Sequence, residues 1–207
     1  MSDEEDKDDY ESLLKLVIMG DTSVGKSNYI YRFVDGKFNP VHVSTVGFDF
    51  KSRIFEMSNP KKKVKFQIWD TAGQEKYMSI NKNLFQRVQG IILMYDISSI
   101  SSFKNLTKWM DSIKENSKDV PVILIGNKCD LEDERKVQTE EGENFAQKYD
   151  IKFFEGSAKT GENVNKSFEA IGDIILNNDK FKENLDTSKS EYIISKSTSK
   201  KKNKKCC

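Results

Sequence analysis

Residues 13–27, "LLKLVIMGDTSVGKS", place a short apolar run directly before a glycine-rich segment. The run at 13–19 is rich in strand-forming residues and is followed by Gly20, so we predict a buried strand there. Residues 20–27 match the pattern G-x-x-x-x-G-K-[ST], and a helix is predicted to begin near Lys26. A strand, a glycine-rich loop and a helix in this order are the context in which the pattern binds phosphate.

Loops of this pattern bind phosphate mainly through their backbone. Glycine at positions 20 and 25 lets N–H groups approach phosphate oxygens, and the start of the following helix adds positive potential. Lys26 reaches the β and γ phosphates of a nucleotide and is predicted to be catalytic, while the Ser27 hydroxyl can ligate Mg²⁺. By itself, the pattern fits an ATPase, a kinase or a GTPase. The predicted nucleotide-binding residues of this loop are Asp21, Thr22, Ser23, Val24, Gly25, Lys26, Ser27 and Asn28.

A second motif, "GNKCD" at 126–130, indicates which base is bound. A carboxylate can accept from two adjacent donors, and guanine presents such a pair at N1–H and N2–H₂, whereas adenine has an acceptor at N1. Asp130 is therefore predicted to select guanine, with Asn127 and the Lys128 stem holding the base and the loop. Alone, N-K-x-D is more often a surface turn; its place after a phosphate loop and at a strand end makes it informative. The segment "GSAK" should add backbone N–H groups toward the base through Ser157, Ala158 and Lys159.

A third motif, "WDTAGQE" at 69–75, ends another predicted strand. Asp70 is placed to hold Mg²⁺ through water, in the manner of the acid that ends a strand in other phosphate-loop proteins. Gly73 can donate a backbone N–H to the γ-phosphate, and Gln74 can orient an attacking water. Without the phosphate loop, a strand-ending aspartate and a turn glycine would be the simpler interpretation.

The rest of the chain alternates between strand and helix patterns, which predicts an α/β domain with a largely parallel sheet. Binding sites in such domains lie beyond the carboxyl ends of the strands. Further strands are predicted at 46–57, 64–70, 90–97 and 120–127, the first two as an antiparallel pair. Apolar residues recur at helical spacing in Phe103, Leu106, Met110 and Ile113, and again in Val164, Phe168, Ile171 and Ile175.

Composition places one globular domain between two charged ends. The 207 residues carry a formal net charge of +1, which gives the whole molecule no general attraction for nucleic acid or membranes. We expect an acidic disordered extension at 1–12, a globular domain at 13–178 and a disordered lysine-rich tail at 179–207. No apolar run approaches the roughly 18 residues that cross a bilayer, and the acidic start is unlike a signal peptide, so a cytosolic protein is expected. Only three cysteines are present, so no disulfide framework is expected.

Taken in order, these motifs resemble those of the Ras superfamily of small GTPases and, within it, the Rab family. The resemblance covers residues 13–178, and the run "TVGFDF" followed by "QIWDTAGQE" is typical of Rab rather than Ras, Rho or Arf proteins. The matching segments are "GDTSVGKS", "STVGFDF", "KFQIWDTAGQE", "GIILMYDIS", "GNKCDL" and "GSAK".

The resemblance implies a three-layer phosphate-loop G domain, in which a six-stranded, mostly parallel mixed sheet carries about five helices. It places Phe38 against the guanine ring and Thr45 where the γ-phosphate and Mg²⁺ are sensed. Residues 38–49 and about 70–85 would be two switches, ordered by the γ-phosphate and released after hydrolysis.

The implied function is a GTP/GDP switch that hydrolyses GTP and regulates vesicle trafficking. Residues 38–50 contain no arginine, so intrinsic hydrolysis should be slow, and an activating protein should raise it by on the order of 10³ to 10⁵. The β-branched Thr22 keeps open an alternative, a GTP-binding membrane scaffold that no longer hydrolyses; single-turnover hydrolysis would separate the two. A nucleic-acid binder is disfavoured because the lysine run contains no stacking aromatics.

The resemblance also implies partners and a location. Cys206 and Cys207 would carry geranylgeranyl groups that anchor the protein to the cytoplasmic face of intracellular membranes, with a cytosolic pool bound to a carrier. A monomer without nucleic-acid partners is expected. The implied partners are an exchange factor, an activating protein, a GDP-dissociation inhibitor, an escort protein with its geranylgeranyltransferase, and GTP-dependent effectors.

Overall fold

Six strands form one mixed sheet in the computed structural model, which describes residues 9–40, 48–58, 61–71, 88–117 and 119–178. The spatial order is β2-β3-β1-β4-β5-β6, and every neighbouring pair is parallel except β2 and β3. The predicted α/β fold with a six-stranded, mostly parallel mixed sheet is confirmed. The strands are β1 (Ser12–Met19), β2 (Phe48–Ser58), β3 (Lys61–Thr71), β4 (Gly90–Asp96), β5 (Val122–Asn127) and β6 (Lys152–Gly156).

Helices cover both faces of this sheet, as the family resemblance implies. Strands β4 and β5 are buried along their whole length, which accounts for their continuous apolar runs. A short 3₁₀ turn occupies Glu132–Glu134. Within the described residues, the α-helices are α1 (Lys26–Asp35), α2 (Ile100–Lys104), α3 (Leu106–Asn116), α4 (Thr139–Tyr149) and α5 (Val164–Leu176).

Successive residues of each central strand point to opposite faces and enter two separate cores. On one face, Leu16 and Ile18 of β1 pack in the core that α1 and α5 complete. On the other face, Val17 packs in the core that includes Trp109 and Met110 of α3. Because both cores are buried, the molecule has three layers, with the sheet in the middle.

Helix α1 is held in place by aromatic stacking against α5. The rings of Phe33 and Phe168 lie 3.7 Å apart between centroids with an interplanar angle of 14°. One turn earlier, the Tyr29 hydroxyl lies 2.9 Å from the Ser167 hydroxyl. These contacts fix the direction of α1, whose first residue is Lys26.

The five parallel strands end at one edge of the sheet, so the loops that follow them gather there. The motifs at 20–27 and 126–130 begin at the ends of β1 and β5 on this edge, and β3 ends there with Asp70 and Thr71 of the third motif. Among the described residues, no helix is long and apolar enough to cross a membrane.

Candidate functional site

The phosphate loop runs from the end of β1 to the start of α1 in close contact with two other strands. Gly20 and Gly25 have φ values of +139° and +100°, in the region that favours glycine. A Cβ atom on Gly20 would lie 2.1 Å from the Met94 carbonyl oxygen, and one on Gly25 would lie 2.4 Å from Nδ2 of Asn127. Glycine is therefore required at both positions by packing as well as by conformation.

Lys26 places its ammonium inside this loop. Its Nζ donates to the carbonyl oxygens of Gly20, at 2.9 Å, and Asp21, at 2.7 Å, and the residue is 6% exposed. Burial lowers the pKa of Lys26 to about 8, against the opposing effect of the Asp70 and Asp21 carboxylates. The loop thus holds a buried cation that an anionic ligand would stabilise.

Asp70 lies near the end of β3, opposite Ile18 in the parallel register with β1, and is 4% exposed. The Thr71 hydroxyl donates to the Ile18 carbonyl at 2.8 Å and fixes this strand end beside the phosphate loop. The Asp70 carboxylate and the Ser27 hydroxyl are oxygen donors of the kind that Mg²⁺ prefers. Within the described ranges, no group of three or more His, Cys, Asp or Glu side chains forms a metal site. A magnesium ion that takes most of its ligands from phosphates and water is compatible with such a sparse donor set.

Asn127 joins the phosphate loop to the loop after β6. Its Nδ2 donates to the Val24 carbonyl at 2.8 Å, and its Oδ1 accepts from the Ala158 backbone N–H at 3.2 Å. At 1% exposure, its amide is a buried bridge. The neighbouring Lys128 has a φ of +71° and pairs with Asp96 at 2.5 Å, which anchors its loop to the end of β4.

The carboxylate of Asp130 is oriented by two residues of the 156–159 segment. The Ser157 hydroxyl donates to Oδ1 at 2.5 Å, and the Lys159 ammonium lies 3.4 Å from Oδ2. The Ser157 oxygen also accepts backbone N–H groups from Lys159 and Thr160, so the loop closes on itself. The structure therefore brings together the two segments that the sequence analysis assigned to the base.

Comparison with known proteins identifies the family. A model described as "Ras family" matches residues 15–177. The chain is 43% identical to Ras-related protein Rab-13 of Rattus norvegicus over 198 residues, which are 95% of this chain and 97% of the relative. It is 44% identical to Ras-related protein Rab-3B of Homo sapiens over 190 residues, which are 91% and 85% of the two chains. The chain belongs to the Rab family of small GTPases.

Ras-related protein Rab-10 of Diplobatis ommata is also similar, with 43% identity over 178 residues, 86% of this chain and 88% of the relative. As a Rab protein, the chain binds guanine nucleotide and is a GTP-hydrolysing enzyme that acts in membrane trafficking. Rab proteins associate with intracellular membranes and act through regulators and effectors.

Asn28 lies in the first turn of α1, and Phe38 follows the C-terminal end of this helix. The Asn28 amide exchanges two hydrogen bonds of 3.0 Å with the backbone of Asn39, which holds this segment beside the first turn of the helix. Phe38 packs partly buried against the α1 and α5 core. The predicted residues that lie outside the described part of the chain are Thr45, Gly73, Gln74, Cys206 and Cys207.

Four hydrogen bonds at the site, made by Asp21 and Arg32, were not predicted from this Rab sequence. The Asp21 carboxylate accepts from Nδ2 of Asn105 at 2.7 Å and from Nε1 of Trp109 at 2.9 Å. Arg32 of α1 donates to the carbonyl oxygens of Ala158, at 2.8 Å, and Lys159, at 2.6 Å. These pairs lie 84 to 127 residues apart in the sequence, so no local pattern indicates them.

Proposed function

We propose that this Rab protein is a GTP/GDP-cycling switch that regulates vesicle trafficking from a lipid-anchored position on a membrane. The observation that carries the proposal is the Asn127 bridge, which joins the phosphate loop to the 156–159 segment through hydrogen bonds to Val24 and Ala158. A nucleotide could then bind with its phosphates on the first loop and its base on the second. The two ends of the ligand would be recognised by one connected set of residues.

At the phosphate end, residues 21–28 would donate backbone N–H groups, and Lys26 would compensate the charge of the β and γ phosphates. Ser27, Asp70 and Thr45 would hold Mg²⁺ directly or through water. When bound, this ion would neutralise phosphate charge and help to fix the nucleotide's position. The buried Lys26 ammonium favours this arrangement because phosphates would replace the solvation it has lost.

At the reacting end, Gly73 would donate to the γ-phosphate and Gln74 would orient the attacking water. Hydrolysis is proposed to be slow without an activating protein, because residues 38–50 supply no arginine. An exchange factor, an activating protein and GTP-dependent effectors would complete the cycle through switches at residues 38–49 and about 70–85.

The membrane end of the molecule is proposed to be the 179–207 tail, which would follow a G domain at 13–178 and an acidic extension at 1–12. Geranylgeranyl groups on Cys206 and Cys207 would supply the anchor, because stable membrane binding takes two attachment signals. Transfer of these groups would require an escort protein with its transferase, and transit through the cytosol would require a dissociation inhibitor.

Base recognition provides the sharpest test, since it depends on one carboxylate. Asp130→Asn replaces a double acceptor with an amide that donates on one side, which suits xanthine N1–H and O2 better than guanine. We expect the variant to bind GDP at least roughly tenfold more weakly and to gain affinity for xanthosine diphosphate, measured by displacement of a fluorescent nucleotide.

The matched control is Asp133→Asn, which removes an exposed acid three residues further along the chain. It should leave the preference for GDP unchanged. If ADP competed as well as GDP for the unaltered protein, or if Asp130→Asn kept its GDP affinity, the assignment of Asp130 would be wrong.

A further inference from the structure

Asp21 presents an electrostatic problem for a phosphate-binding loop. It is the second residue of the loop, and its backbone carbonyl accepts the Lys26 ammonium at 2.7 Å. A carboxylate free to turn toward the nucleotide would repel the phosphates and compete with them for Lys26. The position is therefore compatible with a phosphate site only if something controls where the carboxylate points.

In the structure, two N–H donors at the junction of α2 and α3 control the direction of the Asp21 carboxylate. Oδ2 of Asp21 accepts from Nδ2 of Asn105 at 2.7 Å, and Oδ1 accepts from Nε1 of Trp109 at 2.9 Å. Both carboxylate oxygens are thus engaged, and both donors belong to the segment that begins α3. Hydrogen bonds to an ionised group are among the stronger ones in proteins, so these two contacts hold the carboxylate firmly in place.

The donors are themselves held rigidly by the fold. Asn105 lies between α2 and α3 and caps both of them, and Trp109 is 3% exposed in the core that α3 shares with β4. The Trp109 backbone N–H also donates to the Asn105 carbonyl at 3.2 Å, which keeps the two side chains on one helical turn. Their N–H groups therefore contact Asp21 from the α3 side of the phosphate loop.

We propose that Asn105 and Trp109 are positioning residues that keep the Asp21 carboxylate on the α3 side of the phosphate loop, so that Lys26 stays available to the nucleotide phosphates. This inference rests on the proposed nucleotide site. The Asp21 backbone carbonyl already accepts from the Lys26 ammonium at 2.7 Å, so the carboxylate of the same residue is close to that cation. Released from α3, the carboxylate would interact more strongly with the ammonium.

The test begins with variants that remove each donor separately. Trp109→Phe keeps an aromatic ring in the core but loses the N–H, and Asn105→Ala removes the amide at a half-buried position. We expect each to speed dissociation of fluorescent GDP, and the double variant to speed it by roughly tenfold or more at low salt. The effect should shrink as the salt concentration rises, because it is electrostatic.

Rescue distinguishes an electrostatic role from a packing role. Adding Asp21→Asn to the Trp109→Phe and Asn105→Ala double variant removes the carboxylate that was released, so GDP dissociation should slow again. Asp111→Asn, which removes an exposed acid from the same helix, is the matched control and should not rescue.

Faster GDP release that Asp21→Asn does not reverse would mean that the two residues only support the loop by packing, and would overturn the proposal. Unchanged release in the double variant would overturn it as well. Either result leaves the proposed function intact, because that depends on GDP binding and base preference in the unaltered protein. Thermal unfolding of each variant verifies that it is folded.

Discussion

Cys129 lies between two residues assigned to the base, and its thiol contacts a residue outside that motif. Its Sγ lies 3.5 Å from a carboxylate oxygen of Glu162, and its backbone N–H donates to the Gly156 carbonyl. Burial, together with the negative charge of Glu162, raises the pKa of Cys129 to about 12. The thiol should therefore remain protonated throughout the physiological range, which makes it a poor nucleophile.

The reactivity of the Cys129 thiol can be measured in full-length protein carrying Cys206→Ala and Cys207→Ala, where Cys129 is the only cysteine left. At pH 8, alkylation by iodoacetamide should be at least roughly tenfold slower than that of an unfolded cysteine peptide, because so little thiolate is present. The rate should keep rising with pH well beyond 9, since the folded pKa lies above that of a free thiol.

Mass spectrometry of alkylated protein gives these rates directly. Glu162→Gln removes the nearest negative charge and should accelerate alkylation, while Glu143→Gln, an exposed acid on α4, is the matched control. A plateau in rate near pH 9 would contradict the raised pKa.

At the scale of elements, α1 links the two ends of the candidate site. It begins with Lys26 at the phosphate loop, and the Arg32 guanidinium near its other end donates to the carbonyl oxygens of Ala158, Lys159 and Gly36. A planar guanidinium can serve several carbonyl oxygens at once, which the single ammonium of lysine does less well. The position of the base-binding segment therefore depends on the packing of α1.

Arg32→Ala should accordingly speed GDP release by roughly tenfold, since the 156–159 segment loses two hydrogen bonds to a charged donor. Arg32→Lys should recover only part of the loss. Lys37→Ala, which removes an exposed cation just beyond α1, is the matched control. Stopped-flow release of fluorescent GDP measures all three. Release unchanged in Arg32→Ala would show that the segment keeps its position without α1.

Elements with strong apolar patterns could be predicted from the sequence, and two weaker ones could not. Strands β4 and β5 are buried on both faces and read as continuous apolar runs. Helix α4 buries only Gly142 and Ala146, so its apolar stripe is faint, and its capping box uses Gln138 in place of the usual serine or threonine. Strand β6 is an edge strand that is mostly half-buried, which weakens its pattern in the same way.

The candidate site likewise has features that the sequence predicts and features that it does not. The carboxyl ends of parallel strands lie at one edge of a sheet, so the order of motifs and strands along the chain is enough to predict that Gly20, Asp70 and Asn127 come close together. The Asn127 bridge and the Asp21 contacts with α3 depend on how distant segments pack. Such contacts carry no local periodicity, and only the folded structure reveals them.

At the scale of the whole molecule, charge is separated although the total nearly cancels. Seven acids fall within residues 3–11 and six lysines within 196–205, around a formal net charge of +1. A basic segment beside a lipid anchor adds up to about 1 kcal/mol per lysine against an anionic leaflet, and salt weakens this. The proposed anchor at Cys206 and Cys207 would therefore act together with the lysines that precede it.

Replacing both cysteines tests this anchor. Cys206→Ser with Cys207→Ser should move the protein from the membrane pellet to the soluble fraction in cells, while GDP binding of the purified protein stays the same. Either single variant should pellet partly, and high salt should release more of it, because one lipid holds only marginally and the lysines then matter more. Cys129→Ser, which leaves both anchor cysteines in place, is the matched control. A double variant that still pellets with membranes would contradict the anchor, because each buried CH₂ of the missing lipids would have contributed about 0.8 kcal/mol.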